Sequence, residues 1–362
     1  LSNKRTDEFG GSFENRCRFP LMMLEEVKKA AGNDMLVEIQ FSAEEPEGGY
    51  SVEEGLEFLK LAQPYVDIVQ VRSAEGDPNH PIPFELKHTP FLELAARIKA
   101  AGLDFLVSNV GGFFYPEEAD QAIAEGKLDL VAMARAWISN PDYGKFLYED
   151  RAEDIVPCLR CNKCHVAGPG NWNTVCSVNP EWGLEHKVER LVSPPQKPKK
   201  IAVVGGGPTG MEAALLLSRR GHAVTLYEKD TRLGGLINAT EGIDIKWTLV
   251  KFRDYLIYQI QKSAVDVKLG TPADPTMLRT EGYDEVVVAI GSEPLYPPIP
   301  GVRGDNVIPA VDTVAKEPDM GHEVEVLNTN ITMGRGQIIW RTENGMLVGG
   351  TEPRCDGTVA AW

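Results

Sequence analysis

Four cysteines carry the chemistry that can be read first: Cys158, Cys161 and Cys164 in a C-x2-C-x2-C run, and Cys176 after eleven intervening residues. Thiolates at every third position let one short loop wrap a compact iron-sulfur cluster while a remote cysteine supplies the fourth ligand. Structural zinc favours two separated cysteine pairs, so this spacing fits zinc poorly, and a disulfide pairing fits it less well. The chemistry expected of the segment is single-electron transfer. His165, directly after Cys164, reads as shielding or tuning the cluster, because the four cysteines already complete a ligand set.

A second constellation is glycine-rich. Gly205, Gly207 and Gly210 form G-x-G-x-x-G between an apolar run at 201–204 and a helical pattern at 211–219. Such glycines supply the tight turn, the close approach of backbone to a pyrophosphate and the close helix-strand contact of a dinucleotide fold. A second strand at 223–227 leads into Glu228, where an acidic side chain would hold a ribose hydroxyl. Arg232 and Gly235 in the following R-L-G-G stretch are candidates for further phosphate contacts, and a solvated surface charge is the equal alternative for Arg232. Gly291 closes another expected strand of the same sheet at 285–290.

The surrounding elements must place these groups. From 1 to about 150 the pattern alternates helix and strand: helices at 13–31, 51–62, 90–101 and 116–125, strands at 36–41, 66–71, 105–108 and 128–133. This alternation predicts a parallel sheet with helical crossovers. About four βα units fit, where a complete eight-fold barrel needs roughly 250 residues, so the expectation is the carboxyl-terminal half of a TIM (β/α)8 barrel. The chain starts at Leu1 rather than Met, and the other half is expected to lie outside it. The expected organisation is a partial-barrel domain at 1–150, an iron-sulfur segment and Pro/Lys-rich linker at 151–197, a Rossmann-like domain at 198–320 and an atypical tail at 321–362. In the tail only 323–327 reads as a strand.

Composition excludes some partners. A net charge of −16 argues against nucleic acid, which needs a basic patch. No apolar run approaches the length of a membrane span, and none resembles a secretory leader at the start, so a cytoplasmic protein is expected. With 362 residues and 43% hydrophobic content, two or three domains with their own cores are possible, and a homo-oligomer is expected.

Three segments together resemble the flavin-linked oxidoreductases that join an old-yellow-enzyme-like barrel to an iron-sulfur segment and an FAD/NAD-binding module. This is the group of 2,4-dienoyl-CoA reductase, enoate reductases and trimethylamine dehydrogenase. The segments are N-K-R-T-D-E-F-G-G-S at 3–12 with E-N-R at 14–16, P-C-L-R-C-N-K-C-H at 157–165 with C-S-V-N-P at 176–180, and the glycine turn with Glu228. The resemblance runs from Leu1 to about Val314.

It implies FMN over the carboxyl ends of the barrel strands, a 4Fe-4S cluster on the four cysteines, FAD at the glycine turn, and NADH or NADPH as electron donor. FMN phosphate would fall to Gly111, Gly112, Ala134 and Arg135. The implied reaction is reduction of an activated C=C bond in a small molecule such as an enoate, enoyl-CoA or cyclic enone. Amine oxidation on the same scaffold is the alternative, as is an electron-transfer fragment without catalysis of its own.

Three departures qualify the likeness. The strand that in this group carries an arginine against the flavin pyrimidine reads E-I-Q-F-S, which puts Gln40 in the arginine's place. A neutral donor there stabilises an anionic flavin less than a guanidinium does. The group's His/Asn or His/His pair and proton-donating tyrosine fall before Leu1, so no catalytic residue is assigned, and His80 is a weak candidate. A further glycine fingerprint expected after Asp312 is missing, with 321–327 alone hinting at the start of another domain.

Overall fold

The computed structural model describes residues 3–45, 48–72, 89–164, 175–191, 195, 197–293, 296, 300–304, 307, 337–341 and 347–351. Two compact units divide the chain between Asn179 and Pro180. His80, His165 and the expected strand at 323–327 lie outside the described residues.

The first unit begins with α1 (Phe13–Ala31). Ser12 caps it, its Oγ accepting from the Asn15 N–H at 3.3 Å, and Glu14 in the first turn with Lys28 and Lys29 in the last complement the helix dipole. Then follow β1 (Glu38–Ser42), α2 (Val52–Ala62), β2 (Ile68–Arg72), α3 (Leu92–Ala100), β3 (Leu106–Val110), α4 (Pro116–Ala124) and β4 (Leu130–Ala132). All four strands are parallel, in the order β1-β2-β3-β4. Two short helices, α5 (Arg135–Ser139) and α6 (Tyr143–Tyr148), complete the unit.

The expected βα alternation is present, each element within two residues of its expected bounds. Alternation along each strand decides the faces. Val69, Val71 and Val107 are buried in a core with Leu59, Ile98 and Phe105, and Ile39, Phe41 and Val131 pack against it. The intervening positions Glu38, Gln40, Arg72, Leu106 and Leu130 are exposed on the other face. A second cluster of Phe114, Ala136, Tyr143 and Ile155 fastens the segment after β4, with Cys158 packed against it.

The second unit contains α7 (Glu185–Leu191), β5 (Lys200–Val204), α8 (Pro208–Arg219), β6 (Ala223–Tyr227), α9 (Trp247–Lys262), β7 (Asp266–Lys268), α10 (Pro275–Glu281) and β8 (Glu285–Val288). Its parallel sheet has the order β7-β6-β5-β8, with the glycine turn leaving the central strand β5. An antiparallel hairpin of β9 (Gln337–Arg341) and β10 (Leu347–Thr351) lies in the stretch where only 323–327 reads as a strand from sequence. This corrects the sequence reading: G-G-rich β10 has the weak side-chain pattern that strand recognition depends on.

Candidate functional site

The cysteine segment comes together in one place. Cys158, Cys161, Cys164 and Cys176 line a single pocket, partly open to solvent, with Arg135, Asn162 and Ser177. The loop takes a conformation that most side chains avoid: Arg160 and Asn162 both have φ of 55°. A left-handed arginine costs on the order of 1 kcal/mol and persists only where its surroundings hold it. Here the Arg160 side chain is fully buried, its guanidinium 4.8 Å from the Phe114 ring centroid, while its backbone N–H donates to Cys158 Sγ at 3.4 Å. Asn162 is fixed by Arg135, whose Nη1 donates to Asn162 Oδ1 and whose guanidinium also lies over Phe114, at 5.2 Å. Phe114, Arg160 and Asn162 are thus supports that cysteine spacing alone does not single out.

Burial pushes the Cys158 thiol up to about 11, against the lowering effects of the Arg160 N–H and of Arg135, and burial also raises Cys164. A thiolate in this pocket therefore needs positive charge beside it, as bound iron would supply. Among the described residues, no three His, Cys, Asp or Glu side chains are drawn together as ligands of one metal ion. A tetrahedral zinc would hold its sulfurs within about 4 Å of each other, given Zn–S near 2.3 Å. A four-iron cluster places each thiolate on a different iron and spreads the sulfurs around its own volume. Four thiols lining one shared space are the donor set that such a cluster takes.

At the carboxyl ends of the first unit's strands stand the residues expected to meet a flavin phosphate. Gly111 and Gly112 follow β3 with φ of 117° and 87°, so bare backbone borders the strand end at conformations that only glycine takes without strain. Ala134 is exposed at the start of α5, and Arg135 follows it. Arg135 is at the same time a wall of the cysteine pocket, so one guanidinium borders both constellations. Gln40 is exposed in β1 and accepts a hydrogen bond at 2.8 Å from Arg72 Nη1 of β2. These backbone and cationic groups fit a flavin phosphate and ring.

In the second unit the three glycines have separable reasons. Gly205 has φ of 111°, and a Cβ there would meet Ala289 O at 2.2 Å; a Cβ on Gly210 would lie 1.8 Å from Gly205 O. Those two are demanded by the turn and by helix-strand contact. Gly207 is different: its φ is −74° at the N-cap of α8, and a Cβ would find only Gly235 Cα, at 3.9 Å. The space beside Gly207 is kept clear of protein, as a cradle for pyrophosphate at a helix amino end would be.

Glu228 is buried and spends one oxygen on the Gly206 N–H at 2.6 Å and the other on the Asp230 N–H at 2.9 Å. Each carboxylate oxygen keeps a second lone pair for a ribose hydroxyl. Arg232 is largely exposed and pairs with Glu241 at 2.9 Å. Gly235, with φ of 55°, opens the short turn at 235–240 against Gly207, and Gly291 has φ of 73° beyond β8.

Comparison with known proteins agrees with this architecture. Residues 1–154 match the NADH:flavin oxidoreductase / NADH oxidase family, and residues 203–242 the NAD(P)-binding Rossmann-like domain. The flavin oxidoreductase match thus takes in the whole βα-alternating part of the first unit. The chain is 36% identical over 334 residues to an NADH oxidase of Thermoanaerobacter brockii, which covers 90% of this chain and 51% of that protein. It is 36% identical over 327 residues to a bilirubin reductase of Mediterraneibacter gnavus, covering 86% of this chain and 50% of the relative. Among solved structures, a 2-naphthoyl-CoA reductase complex superposes with a TM-score of 0.82 at 33% identity, over 86% of this chain and 48% of that one. The chain spans about half the length of the curated relatives it matches.

Proposed function

We propose that the protein is an NADH-dependent flavin and iron-sulfur oxidoreductase that reduces an activated C=C bond in a small molecule of the enoate, enoyl-CoA or cyclic enone kind. The observation that carries this reading is the gathering of four thiols around one pocket in the unit whose first 154 residues match the flavin oxidoreductase family. When bound, FMN, FAD and a 4Fe-4S cluster supply the hydride and single-electron chemistry that protein side chains lack. Two relatives are by name a bilirubin reductase and a 2-naphthoyl-CoA reductase, which supports reduction over oxidation.

The chain's own residues hold and tune these groups. Cys158, Cys161, Cys164 and Cys176 are the iron ligands, and the Arg160 N–H on Cys158 Sγ draws charge off that sulfur. Gly111, Gly112, Ala134 and Arg135 border the flavin phosphate. Gly205, Gly207 and Gly210 shape the turn for the FAD pyrophosphate, Glu228 holds the ribose, and Gly235 borders the same cradle. In this reading the partners are a small-molecule substrate and the donor nucleotide, in a homo-oligomer.

The test is an anaerobic assay of NADH oxidation with and without an enoate acceptor, in the parent and in Cys161→Ser. Loss of iron and of acceptor-coupled NADH oxidation, with FAD retained, is the expected result. Unchanged coupled turnover in the variant would sink the electron-transfer role of the segment.

A further inference from the structure

Gln40 leaves the face of β1 without the cation that the flavin reading calls for, and the neighbouring strand carries one. Gln40 and Arg72 lie on the same face of the sheet, opposite the valines of the core, by the two-residue period of β1 and β2. In the parallel register Ser42 stands beside Arg72, and the guanidinium reaches back two residues so that its Nη1 donates to Gln40 Oε1 at 2.8 Å. A parallel rung below it, Gln70 Nε2 to Glu38 Oε1 at 2.9 Å, ties the same two strands.

Among the described residues the partner of Arg72 is a neutral amide. Elsewhere in this unit Arg16, Arg97 and Arg151 are matched to carboxylates. Among the described residues Arg72 thus meets no carboxylate and keeps four of its five N–H donors, at the carboxyl end of a strand, on an exposed face. An amide that accepts one N–H orients the planar fork without neutralising it.

We infer that Arg72, oriented by Gln40, is the cation that faces the pyrimidine edge of the bound flavin: the guanidinium has moved by one strand, and Gln40 has become its tether. This rests on the flavin reading above. The group recognised is a flat carbonyl and nitrogen edge that gathers negative charge when the ring is reduced, which a planar fork of donors matches. Arg72 then supplies the charge, and Gln40 orients it.

The flavin-loaded protein is titrated with sulfite, which adds reversibly to oxidised flavin and leaves the same negative charge on the pyrimidine edge. Arg72→Gln should weaken sulfite binding roughly tenfold or more, the scale of one charge-assisted hydrogen bond. Arg72→Lys, which keeps charge and loses the fork, should fall between. The exchanged pair Gln40→Arg with Arg72→Gln should recover most of the parent affinity, because it returns a guanidinium to the same pair of positions. Flavin content and thermal melting are recorded for each variant.

An unchanged sulfite constant in flavin-replete Arg72→Gln would overturn the inference. So would a change confined to the KM of an anionic substrate, which would make Arg72 a substrate residue. Parent protein that holds no FMN at all would overturn the flavin reading itself, and the two failures are told apart by that control.

Discussion

At the scale of single residues, three glycines of one turn separate folding from ligand binding. Gly210→Ala would drive a Cβ to within 1.8 Å of Gly205 O, which backbone cannot yield without opening the contact between β5 and α8. Chemical denaturation should show a loss of several kcal/mol, as expected of overpacking at a backbone contact (about 1–3 kcal/mol or more). Gly207→Ala meets no protein atom closer than 3.9 Å. It should cost less than about 1 kcal/mol, the scale of a changed N-cap, yet weaken FAD binding sharply because the methyl fills the pyrophosphate cradle. Equal FAD affinity in parent and Gly207→Ala, measured by calorimetry, would remove the cradle from the account.

The cysteines were legible from spacing alone, because a loop of three-residue steps has few other uses. Phe114 and Arg160 were not: their role depends on a ring and a guanidinium meeting across some 46 positions of sequence, which no local pattern encodes.

Elements of the first unit repeat a device that the sequence pattern does not announce. Asp67, just before β2, accepts from Lys28 Nζ of α1 at 2.7 Å and from the Val37 N–H ahead of β1 at 2.7 Å. Asp129, just before β4, accepts from Lys99 Nζ of α3 at 2.6 Å and from the Val107 N–H of β3 at 2.8 Å. In each case one carboxylate closes a helix, a strand start and the next strand, at the amino-terminal rim of the sheet where barrel residues serve stability. The Lys28 bond and the Val37 N–H hold Asp67 below the usual carboxylate range. For Asp129 burial pulls upward, and the Lys99 bond with the Val107 N–H outweighs it, so the net direction is down.

Depressed carboxylate values contribute stability that is complete above the unfolded value, near 3.9, and is lost as pH falls through the lower folded value. Asp129→Asn should therefore destabilise by about 1–2 kcal/mol at neutral pH and by much less at about pH 3. Thermal melts at both pH values check it; an equal loss at both would assign the effect to shape, not charge. The strands and helices themselves were legible, since period-two and 3.6-residue patterns belong to short windows. The hairpin β9–β10 was not: in β10, Gly349 and Gly350 carry no side chain to mark a face.

For the whole molecule, the sequence held the order of parts: a family-matched parallel unit, a cysteine loop, a glycine-turn unit. What it lacked was the contact between neighbours, as with Gln40 and Arg72, which only register brings together. Under the proposed function, one chain would carry sites for two flavins and an iron-sulfur cluster.

The most direct measurement is anaerobic purification followed by a visible spectrum, with iron, acid-labile sulfide, FMN and FAD quantified on the same sample. About four irons and four sulfides per chain with one FMN and one FAD is the predicted result, as a Cys₄-bound cubane beside two flavins requires. Zinc in place of iron, or a colourless protein, would contradict the account at its centre.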